Sequence, residues 1–137
     1  DYLVERREVE AALATGAAHL ETGGVIAVAP TYLAETFTEH EVEHDHRSDD
    51  RRSLTFFSYV HRPGPDPHRV ENVLVYLVRE EDGSLEVIDD RHALGLFPRE
   101  LWLATLDRAG FDAVEDFLVP PDEEGDAGVP MFVGVRR

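Results

Sequence analysis

Gly23-Gly24-Val25-Ile26-Ala27-Val28-Ala29-Pro30 decides how this chain of 137 residues is read. A double glycine leads into five small or branched apolar residues, and a proline stops them. The run is too short for a helix and lacks polar alternation, so it predicts a strand over 25–29 buried on both faces. Upstream, Arg6 to Leu20 spaces Val9, Leu13, Ala17 and Leu20 three and four residues apart, which makes one apolar face of a helix. Glu21-Thr22-Gly23-Gly24 ends that helix, with a glycine available for the left-handed cap. A helix feeding a doubly buried strand is half of an α/β repeat. It requires partner strands on both sides and helices on both faces.

Downstream, Thr31 to Phe37 predicts one or two helical turns capped by Thr31. Thr38 to Arg52 is dense in charge and histidine and has no apolar period, so it predicts a long loop, functional or mobile rather than a simple connector. From Ser53 the period becomes that of strands, with predicted strands at Leu54–His61, Val70–Arg79 and Leu85–Leu96. Three prolines in Arg62–Pro67 force a turn, and Glu81-Asp82-Gly83-Ser84 forms a hairpin whose Asp-Gly supplies positive φ angles. This block is an antiparallel three-strand insert. Pro98 at the first helical position opens a second helix, with a buried stripe of Leu101, Trp102, Thr105, Leu106 and Ala109, and Gly110 stops it. Strands at Phe111–Val119 and Met131–Val135 flank an acidic loop, in which Asp122-Glu123-Glu124-Gly125-Asp126 is a charged turn, and they pair antiparallel. The expected architecture is α/β, or α+β if the chain stands alone. It forms one domain over 1–137: helix and central strand to 30, loop and insert over 31–97, and C-terminal helix and two strands over 98–137.

Composition excludes several functions. The formal net charge is −16, from 29 acidic and 13 basic residues. Binding to phosphate backbones or anionic membranes needs basic patches, so neither nucleic acid nor membrane is expected as a partner. All the basic residues are arginines, which removes Schiff-base chemistry and a phosphate-cradling lysine. With no cysteine there is no disulfide, thiol nucleophile or thiolate metal site. No Gly-x-Ser-x-Gly elbow occurs. No signal-peptide or membrane-spanning pattern occurs, so the cytoplasm is the default compartment.

Val9 to Pro30, Arg91-His92-Ala93-Leu94-Gly95-Leu96-Phe97-Pro98 with Leu101-Trp102 and Ala109-Gly110-Phe111, and the terminal Met131–Val135 together resemble the C-terminal half of class I S-adenosylmethionine-dependent methyltransferases. They match that family's helix, "L-x-P-G-G" turn and fifth strand, its "H-x-x-x-L-F-x-x-x-x-W-x-x-x-L-x-x-A-G-F" stretch, and its last strand. Glu21-Thr22 replaces the usual basic residue and proline. The subgroup that carries an antiparallel insert at this place includes amino-sugar N-methyltransferases. The resemblance implies a partial Rossmann-like fold and S-adenosylmethionine as cofactor of the complete enzyme. It implies methyl transfer to a nitrogen or oxygen of a small-molecule acceptor. It also places the glycine-rich cofactor turn and the ribose-binding acid upstream of the equivalent of Asp1, so this chain alone is expected to bind the cofactor weakly or not at all. Gly23-Gly24 follows a helix and is no dinucleotide fingerprint.

His40, His44 and His46 follow the carboxyl end of the central strand, where open α/β sheets bind ligands. An acceptor amine must be unprotonated to attack, and a histidine can take its proton. The H-x-x-x-H-x-H spacing could also hold a divalent metal, but without rigid support no metal is expected. The resemblance makes the region of Tyr32 and Glu35 part of the acceptor pocket. It matches His92 to a histidine or arginine that faces that pocket or braces the insert. Strand alternation puts Asp90 and His92 on one face and Arg91, a candidate substrate contact, on the other. His61 and His68 read as surface residues flanking the proline turn, and Trp102 as core. Two other functions fit the residues: a non-enzymatic binding or assembly module reusing this half-fold, and a metal-dependent enzyme built on the histidines. An uncovered edge on the central strand would invite a homodimer or strand exchange.

Overall fold

The computed structural model describes residues 2–119 and 128–137, with residues 113–119 described as a strand without their side chains. The acidic turn expected at 122–126 lies outside the described residues. The chain forms two compact units, one of residues 3–37 and 95–137 and the other of 38–94 together with Tyr2.

In the first unit, helix α1 (Arg6–Ala18) precedes strand β1 (Val25–Val28), and helix α2 (Arg99–Arg108) precedes strands β6 (Phe111–Val119) and β7 (Val129–Arg136). Glu8 reaches back to accept the Glu5 backbone N–H at 2.8 Å and so closes the start of α1. Val9, Leu13 and Ala17 are buried, the face that the spacing predicts. The left-handed glycine cap is not found there. The helix ends at Ala18 with His19 still right-handed, and Gly23, at φ 85°, instead turns the chain into β1. There its N–H donates to the Arg136 carbonyl at 2.8 Å. Gly110 does take the left-handed position after α2, at φ 88°.

The sheet order is β1-β7-β6, and β7 runs antiparallel to both neighbours. Strands β1 and β6 are therefore parallel to each other, the two ends of a unit that crosses over through α2. Burial on both faces of β1 is not observed. Val25 and Ala27 are exposed while Ile26 and Val28 are half-buried, because among the described residues β1 pairs with β7 alone and the helices cover one face. On that face Val9, Leu13, Leu106, Phe111 and Phe132 form the core. Each large side chain fully buried there contributes about 1.5–3 kcal/mol of transfer free energy.

The second unit is an antiparallel sheet of β2 (Val42–Ser48), β3 (Arg52–His61), β4 (Arg69–Glu80) and β5 (Leu85–Gly95), in that order. Its fourth strand corrects the sequence reading twice. Residues 42–48 form no loop, and the insert has four strands rather than three. Strand β2 is at the sheet edge and nearly all its residues are exposed, so neither face demands apolar residues and no hydrophobic period marks it. Its pairing with β3 runs from Val42↔Tyr59 to Ser48↔Ser53. At the β4–β5 turn only Gly83 has positive φ, at 84°; Asp82 does not.

Candidate functional site

The segment leaving β1 keeps the two acceptor-pocket candidates close to the core. Leu33 forms a parallel bridge with Phe97, and Thr36 and Phe37 both donate backbone N–H groups to the Leu33 carbonyl. This makes a single turn where one or two helical turns were expected. Tyr32 packs edge-on against Phe37, with ring centroids 5.5 Å apart. Glu35 is exposed, and its carboxylate accepts the backbone N–H of Arg99 at 3.0 and 3.2 Å. Pro98 stands at the N-cap position of α2, not inside the helix, and has no side-chain oxygen to cap with. Glu35 supplies that missing group from a distant turn.

The three clustered histidines do not converge. His40 sits in a turn at φ 68°, its Nδ1 hydrogen-bonded to the Tyr59 hydroxyl at 2.7 Å and its ring stacked on Tyr59. His44 stacks on Phe57, and His46 hydrogen-bonds Thr55 Oγ1 through Nδ1 at 2.7 Å. Both lie on β2. Arg91 and His92 lie on β5 at the opposite edge, three strand spacings or about 14 Å away. Among the described residues no three His, Asp or Glu side chains gather as a metal-binding group.

His92 is held more firmly than the histidines of β2. Its Nε2–H donates to Asp90 Oδ2 at 3.0 Å, which confirms that the two share a face. Arg91 points its guanidinium toward Asp89, at 3.8 Å.

Sequence inspection passed over a second histidine–carboxylate pair. His61 Nε2–H donates to Glu71 Oε2 at 3.0 Å, and only about a quarter of each side chain is exposed. The pairing register sets them directly opposite one another on β3 and β4. The same register puts Tyr59, which stacks on His61 at 5.3 Å, and His44 and His46 on that face. Glu71 also lines a cavity of about 350 Å³ together with Pro63, Pro65, Asp66, Arg69 and Ala93. The alternation of Tyr59 and His61 in β3 was legible in the sequence. Their partner on β4 was not, because the length of the intervening proline turn leaves the register open.

Above that turn, Glu39 clamps the end of β3. It accepts the Arg62 backbone N–H at 2.8 Å and the Arg62 guanidinium at 3.1 Å. The backbone hydrogen bond, reinforced by the guanidinium, holds the Glu39 carboxyl below its ordinary value of 4.5. Asp45 is lowered likewise, mainly by the Arg47 side chain.

No known family model matches the chain. A curated relative, the dTDP-3-amino-3,4,6-trideoxy-alpha-D-glucopyranose N,N-dimethyltransferase of Streptomyces venezuelae, is 32% identical over 134 residues, 98% of this chain and 53% of the relative. The crystal structure of Streptomyces venezuelae DesVI superposes with a TM-score of 0.84 at 29% identity, over 99% of this chain and 54% of that one. The S-adenosylmethionine-bound structure of CalS10, an amino pentose methyltransferase from Micromonospora echinaspora, gives 0.78 at 26% identity, over 97% of this chain and 52% of that one. The chain thus spans about half the length of the relatives it matches. These likenesses bear out the resemblance to class I methyltransferases of the amino-sugar subgroup, and with it the α/β, Rossmann-like fold class.

Proposed function

We propose that this chain is the acceptor-binding portion of an S-adenosylmethionine-dependent N-methyltransferase acting on an amino sugar carried by a nucleotide. The observation that carries this reading is the match to a nucleotide-sugar N,N-dimethyltransferase along 98% of the chain. The complete enzyme transfers a methyl group in line from the sulfonium to the amine, and works in the cytoplasm. Proximity and orientation supply most of the acceleration, and removal of the amine proton is a secondary step.

In this reading the turn carrying Tyr32 and Glu35 and the β5 residue Arg91 contact the acceptor. His92, oriented by Asp90, is the preferred proton acceptor over His40, His44 and His46. Among the described residues no glycine-rich turn follows a strand, which supports the reading that this portion does not methylate alone. The test uses the full-length product of the gene, incubated with S-adenosylmethionine and the amino-sugar nucleotide named for the Streptomyces relative. Mass spectrometry should find product heavier by one or two methylene units. Absence of cofactor binding in the full-length product overturns the proposal and favours a binding or assembly module.

A further inference from the structure

Tyr2 belongs with the second unit, although Leu3 and the residues after it belong with the first. It packs against His92 with ring centroids 5.2 Å apart and planes at 68°, the near-perpendicular arrangement that aromatic rings prefer. The backbone is shaped for this approach. Gly95 ends β5, and a Cβ placed there would overlap the Leu3 carbonyl oxygen. Glycine at that position lets the segment before α1 lie against the end of β5. Burial does not explain the contact. Tyr2 is 68% exposed, and its hydroxyl has no hydrogen-bond partner among the described residues. A ring left so open contributes little to a core, and the neighbour it does meet is a histidine paired with a carboxylate.

The two nitrogens of His92 are unequally engaged. Nε2–H donates to Asp90 Oδ2 at 3.0 Å, while Nδ1 meets no donor among the described residues. With the proton on Nε2, Nδ1 carries the open lone pair. One hydrogen bond at one nitrogen leaves an imidazole free to swing about that bond, and a second ring packed on it restricts the swing. We propose that Tyr2 is a positioning residue for methyl transfer, holding the His92 ring so that Nδ1 receives the proton of the acceptor amine. This role rests on the proposed methyltransferase reading and adds to it a residue that the resemblance did not mark. In the step it serves, the N–H bond of the acceptor ammonium breaks and its electron pair stays on nitrogen. The proton bonds to Nδ1, and the imidazolium so formed keeps its Nε2–H on the Asp90 carboxylate, which balances the new charge. The aromatic ring of Tyr2 does the positioning, and its hydroxyl takes no part.

The test is steady-state kinetics of the full-length gene product with S-adenosylmethionine and the amino-sugar nucleotide named for the Streptomyces relative. Tyr2→Ala should lower kcat about three- to tenfold, the scale of one lost aromatic pair, with KM for the sugar nearly unchanged. Tyr2→Phe keeps the ring and should restore kcat to within about twofold. His92→Gln should lower kcat, and adding Tyr2→Ala to it should lower kcat no further, because the two residues act as one unit. Equal losses from Tyr2→Ala in the wild-type and His92→Gln backgrounds would mark a merely structural role and overturn the proposal. So would a Tyr2→Phe variant as impaired as Tyr2→Ala. A second measurement does not depend on activity. The proton NMR signal of His92 Cε1–H, identified by its loss in His92→Gln, should move in Tyr2→Ala as the ring current is removed. A wild type that methylates the sugar while Tyr2→Ala leaves kcat or that signal unchanged overturns the role of Tyr2 alone. A wild type that transfers no methyl group overturns the proposed activity and the role of Tyr2 with it.

Discussion

Glu35 caps a helix that begins 64 residues later: its carboxylate accepts the backbone N–H of Arg99 at 3.0 and 3.2 Å. The turn after β1 and the start of α2 are thus tied together by one side chain, which makes Glu35 structural whatever its role toward an acceptor. Loss of a helix N-cap costs about 0.5–2 kcal/mol. Glu35→Ala should lower stability by that amount in urea titration, and Glu35→Gln, which keeps an acceptor oxygen, should lose less. Equal losses for both variants would show that the carboxylate does not act as a cap.

Trp102 is buried and stacks on Phe132 with ring centroids 6.1 Å apart, and its Nε1–H has no hydrogen-bond partner among the described residues. An unpaired buried donor costs roughly 1–3 kcal/mol. Trp102→Phe removes that donor while giving up part of the ring volume, so the two effects oppose each other. The variant should stay within about 1 kcal/mol of the wild type, whereas Trp102→Ala should lose about 3–5 kcal/mol. Comparable losses for both in thermal melts would mean that the indole N–H is satisfied in solution.

Acid should loosen the clamp at the end of β3. The Glu39 carboxyl is lowered in the folded state, first by the Arg62 backbone N–H. Below the ordinary value of 4.5 the unfolded chain binds a proton that the folded chain resists. The stabilisation is therefore complete above that value and is lost as pH falls through the lower folded one. Hydrogen exchange at the Arg62 amide, corrected for intrinsic rate, should accelerate below pH 4.5 in the wild type. In Glu39→Gln it should be faster at neutral pH and change little on acidification. A pH-independent wild-type rate would contradict the assignment.

Strand β1 presents apolar residues along an edge left unpaired among the described residues, with Val25 58% exposed. Such an edge recruits another chain. The 137-residue chain should behave as a dimer or strand-exchanged species in light scattering, and Val25→Lys should shift it toward monomer. A wild-type monomer that retains the fold would contradict this.

The helices and their buried stripes were legible because each helix buries one face, and burial writes a period into the sequence; the antiparallel pair β6–β7 was legible from the plain loop that joins the two strands. Val9, Leu13 and Ala17 of α1 and Trp102, Thr105 and Leu106 of α2 are buried as spaced. Strand β2 was illegible for the converse reason. It is an exposed edge strand, so its order comes from backbone hydrogen bonds to β3, which any side chains allow.

For the candidate site the sequence settled residue types and left their neighbours open. It marked the histidines at 40, 44, 46 and 92, and the alternation that sets His92 beside Asp90. The spacing of His40, His44 and His46 suggested one cluster, and the β2–β3 register gave each a different partner on β3: Tyr59, Phe57 and Thr55. By itself, then, the sequence determined the exclusion of thiol and lysine chemistry, which follows from composition, and its motifs carried the resemblance that implies the fold class and the cofactor. Only the tertiary structure decided that Val25–Val28 pairs with β7 alone among the described residues, that Glu35 caps α2, and that His61 meets Glu71 beside a cavity. Those contacts join residues far apart in the chain, and their register depends on turn geometry that no local pattern encodes.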